Sequence, residues 1–259
     1  MIVAPAGRPT LGDTDDLART ILSVIPPELV VHDEEDACPY LPGQRARRPL
    51  RQPLRWLTGA EFDQRLEAGD RRMGTLLYTQ HCPACVACEP IRVDVNAFTP
   101  SRAQRRAQAK GDARIRAQIG PLEVDAQRVA LYLKHERGRG LAHDGYSIDA
   151  EGYRRFLVES CVDGFEIRYF LDEALVALAV VDRGQRALSA VYTFWDPAHA
   201  ALSLGTYSIL SQLALAKAAG LDWVYLGLAI AQNPSMAYKL RFFPHERRIA
   251  GTWRRFSRE

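Results

Sequence analysis

The chain has 259 residues, of which 47% are hydrophobic, and a formal net charge of +3. This composition supports one or two packed domains and excludes a chain that is disordered throughout. No run approaches the roughly 20 apolar residues that cross a bilayer, and five cysteines, three of them within seven residues, do not suit a disulfide framework. Residues 1–16 show no basic segment followed by an apolar run, so we expect no secretory signal and a soluble, cytoplasmic protein.

The first quarter of the chain is predicted to be irregular. Six prolines interrupt residues 26–53, so no long helix is expected there. A helix is predicted over 58–66, where Thr58 caps the N-terminus and Glu61 completes a capping box.

Strands predicted at 74–79 and 90–98 flank the sharpest local motif, a C-x2-C-x2-C run formed by Cys82, Cys85 and Cys88. This spacing lets a tight turn direct the thiolates to one metal or cluster. Cys38 is the first candidate for a fourth ligand, and His81 is the second. The alternative is a set of reduced thiols beside a turn, or an adventitious zinc site. Cys161 stands apart from the motif and is expected in the core.

Basic residues are concentrated in three stretches, 43–56, 101–117 and 241–258. Each carries a net charge of +5, and together they hold 17 of the 34 basic side chains, which leaves −12 for the remainder. The planar guanidinium of arginine matches phosphate oxygens, so this asymmetry favours a polyanionic partner on one surface. Three solvated faces are the alternative. A polar surface helix capped by Ser101 is predicted over 101–118.

The second half predicts a mixed sheet. Helices are expected at 122–137 and 150–159, strands at 165–171, 174–182, 187–195, 200–204 and 222–228, and a helix at 206–219 that ends at Gly220. The first three strands are joined by connections of hairpin length, and the last helix serves as a crossover. A domain boundary is predicted near residue 119.

Two segments carry candidate chemistry. The backbone of Ser203, Leu204, Gly205 and Thr206 at a helix start suits an anion or a developing oxyanion, with a plain helix start as the alternative. Farther on, Tyr225, Tyr238, Lys239 and Arg241 interleave aromatic and basic side chains, which suits stacking on a nucleotide and pairing with phosphate. An amphipathic core edge is the alternative reading. The chain has no nucleophile elbow and no P-loop, so a covalent enzyme is not indicated.

Six segments occur in a recognisable order: CPACVACEPIRV at 82–93, FTPSRAQRR at 98–106, SAVYTFWDP at 189–197, SLGT at 203–206, YLG at 225–227 and MAYKLRFFPHE at 236–246. Together they resemble the aminoacyl-tRNA–protein transferases of the N-degron pathway. More narrowly, they are similar to the bacterial aspartate/glutamate leucyltransferases, relatives of arginyltransferase. The sequence departs from the family pattern at 110–112 and 227–235, which bears on substrate detail.

The resemblance implies an α+β fold, with a cysteine-bearing N-terminal domain over 1–119 and a GCN5-related acetyltransferase-like domain over 120–259. It implies transfer of leucine from Leu-tRNA to the N-terminal amine of proteins that begin with Asp or Glu, which marks them for degradation. No cofactor is required for transfer, and an iron–sulfur cluster or zinc at the cysteines would be structural or regulatory. Arginine as donor, a coenzyme A-dependent N-acetyltransferase and a non-catalytic RNA-binding module remain alternatives.

The resemblance also suggests roles for single residues. The catalytic candidates are Lys239, Tyr192, Tyr225 and Tyr238. The candidates for binding substrate or tRNA are Arg92, Arg102, Arg105, Arg106, Arg241 and the backbone from Ser203 to Thr206. The donor ester is already activated, and an α-amine with a pKa of about 8 is partly neutral at pH 7, so transfer needs mainly positioning, oxyanion stabilisation and a proton acceptor.

Overall fold

A computed structural model describes residues 21–140 and 147–258; the segment expected to lack a secretory signal lies outside these ranges. The strands are β1 Ile21–Leu22, β2 Glu28–His32, β3 Glu35–Ala37, β4 Arg45–Arg47, β5 Leu50–Pro53, β6 Arg71–Met73, β7 Leu76–Tyr78, β8 Glu89–Asp94, β9 Ile115–Gly120, β10 Gly164–Leu171, β11 Ala174–Arg183, β12 Ala187–Trp195, β13 Trp223–Ala229, β14 His245–Ile249 and β15 Thr252–Phe256. The helices are α1 Gly59–Ala68, α2 Arg102–Asp112, α3 Ala126–Gly138, α4 Ala150–Tyr153, α5 Leu204–Ala218 and α6 Pro234–Ala237. Within these ranges, no helix has the length and apolar character that a membrane crossing requires.

An eight-stranded mixed sheet lies at the centre, in the order β15-β14-β8-β13-β12-β11-β10-β9. Strands β10, β11 and β12 are antiparallel neighbours joined by the predicted short connections, whereas β12 and β13 are parallel and connected through α5. Parallel neighbours need a crossover because a hairpin turn would reverse the chain. The predicted α+β class is confirmed, as is the acetyltransferase-like order of antiparallel strands, helix and parallel strand in the C-terminal half.

The N-terminal part forms a second sheet, ordered β1-β2-β5-β7-β6, and a two-stranded ribbon of β3 and β4. The expected lack of long helices over 26–53 is confirmed. Strand β8, which follows the cysteines, lies instead between β13 and β14 of the central sheet. Residues before position 119 therefore contribute to the large sheet, and a boundary between separately folding domains near that position stays a prediction.

Capping boxes start α1 and α2, which confirms the box predicted for Thr58 and Glu61 and the N-cap predicted at Ser101. The Thr58 hydroxyl accepts the N–H of Glu61 at 3.3 Å, and the Glu61 carboxylate accepts the N–H of Thr58 at 2.8 Å. Ser101 and Gln104 make the same two bonds at 3.2 and 2.7 Å. Each box satisfies two backbone N–H groups that a helix start leaves without partners.

The helix predicted over 101–118 is too long. It ends at Asp112, and residues 115–120 form β9, which pairs antiparallel with the edge of β10 from Ile115 opposite Leu171 onwards. Residues 116–119 are all exposed, so the alternation that identifies a half-buried strand is missing from this segment. A long-range main-chain pairing decides its structure.

The strand predicted at 200–204 is wrong. Residues Pro197–Leu202 form a 3-10 turn that runs directly into α5. The Asp196 carboxylate caps this turn by accepting the N–H of Ala198 at 3.0 Å, and Pro197 at the first position fits a helical start.

The helices predicted at 122–137 and 150–159 are confirmed with shifted limits. Helix α3 begins only after Asp125, whose carboxylate accepts the N–H of Arg128 at 2.8 Å. Helix α4 continues into a π-helical turn, Arg154–Val158.

Helix α5 packs against the central sheet and is buried along most of its length. Even its polar residues Ser208 and Gln212 are fully buried, and the Gln212 amide donates to the Ser208 hydroxyl at 3.1 Å. Tyr169 on β10 donates to the same hydroxyl at 3.3 Å. Buried hydrogen bonds of this kind fix the position of a helix in a core.

Candidate active site

Strands β12 and β13 separate soon after they pair, and a cavity opens between them. Their parallel pairing runs only from Ala187 opposite Trp223 to Ser189 opposite Tyr225. The register also shifts between β12 and β11 and between β13 and β8, so the two strands diverge. The cavity has a volume of about 250 Å³. It lies beyond the carboxyl ends of the paired segment, where open α/β sheets bind ligands.

The cavity walls combine aromatic rings with cationic groups. The aromatic residues that line it from the C-terminal half include Tyr192, Trp195 and Tyr238. The basic residues are Arg71, Arg72, Arg139 and Lys239. Among the described lining residues, none is Asp or Glu. This charge balance favours anionic or neutral ligands over cations.

Lys239 is buried in one wall. Its Nζ donates to the main-chain carbonyl of Leu228 at 2.9 Å and lies 3.8 Å from the sulfur of Met236. Burial, and next the nearby charge of Arg71, lowers the pKa of Lys239 well below its usual value of 10.5. The neutral amine that this favours has a lone pair and can accept a proton.

Tyr192 and Tyr238 contribute phenol side chains to the cavity lining. The Tyr192 hydroxyl donates to Oε1 of Glu136 at 2.8 Å, and burial raises the pKa of Tyr192 well above its usual value. Burial also raises the pKa of Tyr238 to about 12. Both phenols stay protonated at neutral pH, so they can position polar groups but do not serve as bases.

His135 of α3 also lines the cavity, and no sequence motif marks it, since a lone histidine on a helix has none. Its Nδ1 lies 3.2 Å from the main-chain nitrogen of Trp195. Nδ1 also lies 3.1 Å from the carbonyl oxygen of Trp195, so it bonds to the main chain of this residue in either tautomer, and burial lowers the pKa of His135 to about 4, which keeps the ring neutral at pH 7. His135 thereby fixes the end of β12, and with it the indole of Trp195.

Arg71 and Tyr78 enter the cavity from the N-terminal sheet, and sequence reasoning missed both. They lie opposite each other on β6 and β7. The neighbouring Arg72 instead pairs with buried Asp182, Nε to Oδ2, at 2.7 Å. The signal that could have located Arg71 is the pair of adjacent arginines in a short strand. Adjacent strand residues point to opposite faces, so the two guanidinium groups cannot share one environment.

Two family models match the chain. They are described as the N terminus and the C terminus of arginine-tRNA-protein transferase, and they match residues 36–106 and 127–249. The aspartate/glutamate leucyltransferase of Thiobacillus denitrificans is 38% identical over 219 residues, which cover 83% of this chain and 90% of the relative. That of Chromobacterium violaceum is 38% identical over 216 residues, 83% of this chain and 89% of the relative. The chain belongs to the arginine-tRNA-protein transferase family.

Membership confirms the expected enzyme class, an aminoacyl-tRNA–protein transferase. Among solved structures, L-PGS from Bacillus licheniformis has a TM-score of 0.44 at 15% identity and covers 58% of this chain and 49% of its own. FemX has a TM-score of 0.44 at 10% identity, and the match covers 75% of this chain and 66% of FemX. Likenesses this distant do not bear on activity.

Four of the arginines predicted to bind substrate or tRNA are exposed on the outside of the transferase. Arg102, Arg105 and Arg106 are exposed on α2. Arg241 is also exposed, and its carbonyl accepts the side-chain amide of Gln104 at 3.3 Å, which joins this residue to the same helix. We call these four residues the α2 arginine surface.

Helix α2 lies across the start of α5. Gly111 contacts the ring of Tyr207 so closely that a Cβ atom there would collide with it. The Tyr207 hydroxyl donates to Asp112 at 3.0 Å, and Lys110 Nζ donates to the carbonyl of Ala201 at 2.8 Å. Gly111 lies in the segment 110–112, where the sequence departs from the family pattern, and this close packing requires a glycine there.

The segment from Ser203 to Thr206 starts α5 as predicted, but the structure does not place it in the cavity lining. Gly205 packs against the indole of Trp195 so closely that a Cβ atom at this position would lie 3.3 Å from the ring. Leu204 is in the core. Trp195 thus lies between this helix start and the cavity. An oxyanion role for this backbone stays a prediction.

Arg92 and Tyr225 lie outside the cavity lining, in a packed polar cluster. The Arg92 guanidinium lies 4.0 and 4.2 Å from the ring centroids of Trp223 and Trp253. It donates to Glu246 at 2.9 Å, to the Tyr225 hydroxyl at 2.9 Å, and to Glu67. Arg92 is 7% exposed. In this geometry Tyr225 has a structural role, and the Arg92 guanidinium is too buried to contact a tRNA phosphate as predicted.

The four cysteines predicted as ligands gather around Cys88. Burial raises the pKa of the Cys88 thiol to about 12, and the nearby thiols of Cys38, Cys82 and Cys85 add to the rise. Over the described ranges, however, no three His, Cys, Asp or Glu side chains form a metal-binding group, and His81 is exposed. Cys161 is buried in the core, as expected.

Proposed function

We propose that this transferase moves leucine from Leu-tRNA to the N-terminal amine of proteins that begin with Asp or Glu, acts in the cytoplasm and marks those proteins for degradation. The names of its curated relatives, aspartate/glutamate leucyltransferase, support this assignment. The observation that carries it is the charge of the cavity, whose described lining contains three arginines and a lysine but no acid. An apolar leucyl group and an acidic acceptor residue both suit that environment.

Arginine is the second candidate for the donated residue, because the matching family models are described by that amino acid. An arginyl side chain would bring a further guanidinium into a cavity that already holds those of Arg71 and Arg139. Like charges repel more strongly in a partly dry site than in water. The structure therefore favours leucine.

The reaction is an aminolysis of the aminoacyl ester. The neutral α-amine of the acceptor attacks the ester carbonyl, a C–N bond forms, and the bond to the terminal ribose oxygen breaks. Lys239, with its lowered pKa, accepts the proton that the amine loses and returns it to the leaving ribose oxygen. The phenol of Tyr238 orients the reacting groups by donating a hydrogen bond, and the oxygen of Tyr192, whose proton goes to Glu136, accepts one.

The cationic lining also acts on the acceptor amine itself. A free α-amine has a pKa of about 8, and nearby positive charges disfavour its protonated form. Arg71 and Arg139 therefore raise the fraction of neutral, nucleophilic amine at pH 7. No covalent enzyme intermediate is needed.

The α2 arginine surface is proposed to bind phosphates of the donor tRNA. Its side chains are exposed, and α2 packs on the start of α5, which also packs on Trp195 of the cavity wall. Phosphate contacts position a nucleic acid without reading its sequence. This surface would therefore position the aminoacylated end of the tRNA near the cavity.

The cysteine set is proposed to hold an iron–sulfur cluster or zinc. Four thiols are a donor set that suits either, and three of them lie close enough to Cys88 to raise its pKa. The described side chains do not form a ligand group, so no step of the transfer is assigned to a metal. Tyr40, two residues after Cys38, lines the cavity, and its carbonyl accepts the Asn233 amide at 3.0 Å.

Labelled Leu-tRNA and Arg-tRNA, each offered with a peptide that begins with Asp, test the proposal. We expect leucine to be transferred and arginine to be transferred poorly. Labelled acetyl-CoA with the same peptide should give no product. Transfer from Arg-tRNA alone would replace leucine by arginine, acetylation would support the acetyltransferase alternative, and tRNA binding without any transfer would indicate an RNA-binding module.

A further inference from the structure

Arg71 and Tyr78 present unsatisfied polar groups to the cavity. Both residues line it, and they lie opposite each other on β6 and β7. Among the described residues, the Arg71 guanidinium has no hydrogen-bond or ion-pair partner. Tyr78 is 1% exposed, and its buried hydroxyl has no partner either. A buried polar group without a partner is costly, so the Tyr78 hydroxyl is suited to a hydrogen bond with a ligand, and the half-buried guanidinium of Arg71 beside it is available for the same ligand.

The fold holds the head of Arg71 against β13. The guanidinium lies over Gly227, where φ is +77° and a Cβ atom would collide with it. The next residue, Leu228, accepts the hydrogen bond from Lys239 at 2.9 Å. Because consecutive Cα atoms are about 3.8 Å apart, the guanidinium and the amine border one small region of the cavity.

We infer that Arg71, assisted by the Tyr78 hydroxyl, binds the side-chain carboxylate of the acceptor's N-terminal Asp or Glu and selects acidic acceptors; this rests on the proposed function. The guanidinium fork matches both oxygens of a carboxylate, and the hydroxyl can donate to one of them. Only Cα and Cβ separate the amine of an N-terminal Asp from its carboxylate, and Glu adds one methylene. A carboxylate on Arg71 therefore leaves the nucleophilic amine beside Lys239.

Position favours this carboxylate over a phosphate of the donor. The arginines suited to tRNA phosphates are exposed on the outer α2 arginine surface. Arg71 instead faces a cavity of about 250 Å³ with aromatic walls, and Tyr78 beside it is buried. A space of this size suits the small groups that react, and their recognition there sets specificity.

Three variants separate charge, geometry and the hydroxyl. Arg71→Gln removes the charge, Arg71→Lys keeps the charge without the fork, and Tyr78→Phe removes a single unpartnered oxygen. Arg155→Gln is the matched control, since Arg155 is exposed on the π-helical turn and does not line the cavity. The substrates are hexapeptides that begin with Asp and with Asn, with saturating Leu-tRNA. Peptide binding without tRNA is followed by the fluorescence of Trp195, and Leu-tRNA affinity by filter binding.

We expect Arg71→Gln to lower kcat/KM for the Asp peptide by about tenfold to a hundredfold, chiefly through KM, and to bring the Asp-to-Asn ratio close to one. Arg71→Lys should keep part of the ratio, and Tyr78→Phe should reduce it by less. Affinity for Leu-tRNA should stay within about twofold, as should every property of Arg155→Gln. Thermal melts check that each variant is folded. If Arg71→Gln is not folded, the change in the Asp-to-Asn ratio of Tyr78→Phe decides the test.

The inference is overturned if folded Arg71→Gln keeps the Asp-to-Asn ratio, or if it loses Leu-tRNA affinity while that ratio is unchanged, which would assign Arg71 to a donor phosphate. Failure of the proposed function looks different, because the wild-type protein would then transfer nothing to either peptide. Peptide binding still decides the inference in that event. Tighter binding of the Asp peptide that Arg71→Gln abolishes supports it, and equal binding of both peptides contradicts it.

Discussion

The side-chain amine of Lys239 donates a hydrogen bond to the main-chain carbonyl of Leu228 across 2.9 Å in a buried wall of the cavity. Burial and the charge of Arg71 hold the pKa of Lys239 well below 10.5, the value of the unfolded chain. Between these two pKa values the unfolded state binds the additional proton. Stability therefore rises with pH across this window, and at neutral pH the buried amine destabilises the fold.

Replacing Lys239 by Met should separate activity from stability. The substitution keeps most of the side-chain volume and removes the amine, so we expect transfer to fall by about 10²- to 10⁴-fold while the melting temperature at pH 7 is unchanged or higher. In the wild-type protein, single-turnover transfer should rise with pH as Lys239 loses its proton. Single-turnover rates and thermal melts from pH 6 to 9 measure both effects. Lys217→Met, on the exposed side of α5, is the control, and full transfer by Lys239→Met excludes the proposed proton transfer.

Arg92 is expected to act in folding and not in tRNA binding. Arg92→Met leaves the carboxylates of Glu67 and Glu246 without their shared partner and should lower the free energy of unfolding by about 3 kcal/mol. The salt dependence of Leu-tRNA binding should not change. Urea unfolding and filter binding at several salt concentrations measure the two quantities.

Arg186→Met is the matched control for this substitution. Its ion pair with Asp222 is largely solvent-exposed, so the expected loss is at most about 1 kcal/mol. If the Arg92→Met protein is as stable as the wild type and its Leu-tRNA binding depends less on salt, Arg92 binds tRNA after all.

The sequence predicted the elements whose signals are local. The capping box of Thr58 with Glu61 and the N-cap Ser101 each lie within one turn of helix, and both predictions are confirmed. Local signals predict helix for the segment of β9 because its strand structure depends on pairing with β10, about 50 residues later in the chain. The apolar run predicts a strand at 200–204, but Asp196 caps a helical turn that already begins at Pro197.

The candidate site was predictable where a motif marks it. Tyr192, Tyr238 and Lys239 come from recognisable segments, and all three line the cavity. Arg71 and Tyr78 were missed because they reach the site from another sheet, and only the tertiary fold brings β6 and β7 to the diverging strands. Periodicity within one segment contains no information about such an approach.

The α2 arginine surface predicts a change in salt dependence. Replacing Arg102, Arg105 and Arg106 by Gln removes three exposed charges, so the slope of log affinity for Leu-tRNA against log salt should fall by about 2 to 3, as expected for lost phosphate contacts. The kcat at saturating Leu-tRNA should stay within about threefold. Filter binding from 50 to 300 mM salt measures the slope. A triple variant of Arg154, Arg155 and Arg183, all exposed and away from α2, should keep the wild-type slope; an equal loss in both proteins would indicate a diffuse effect of net charge.

The cysteine set predicts a metal that supports the cavity from outside. Protein purified without oxygen should contain iron or zinc, and visible charge-transfer bands would identify an iron–sulfur cluster. Cys88→Ser should lose the metal, whereas Cys161→Ala, which alters only the core cysteine, should keep it. Because Tyr40 follows Cys38 closely and lines the cavity, loss of the metal should raise the KM for the Asp peptide by several fold and leave Leu-tRNA affinity unchanged. Elemental analysis and steady-state kinetics on the same samples measure these effects, and a metal-free wild-type protein with full activity would reduce the cysteines to ordinary thiols beside a turn.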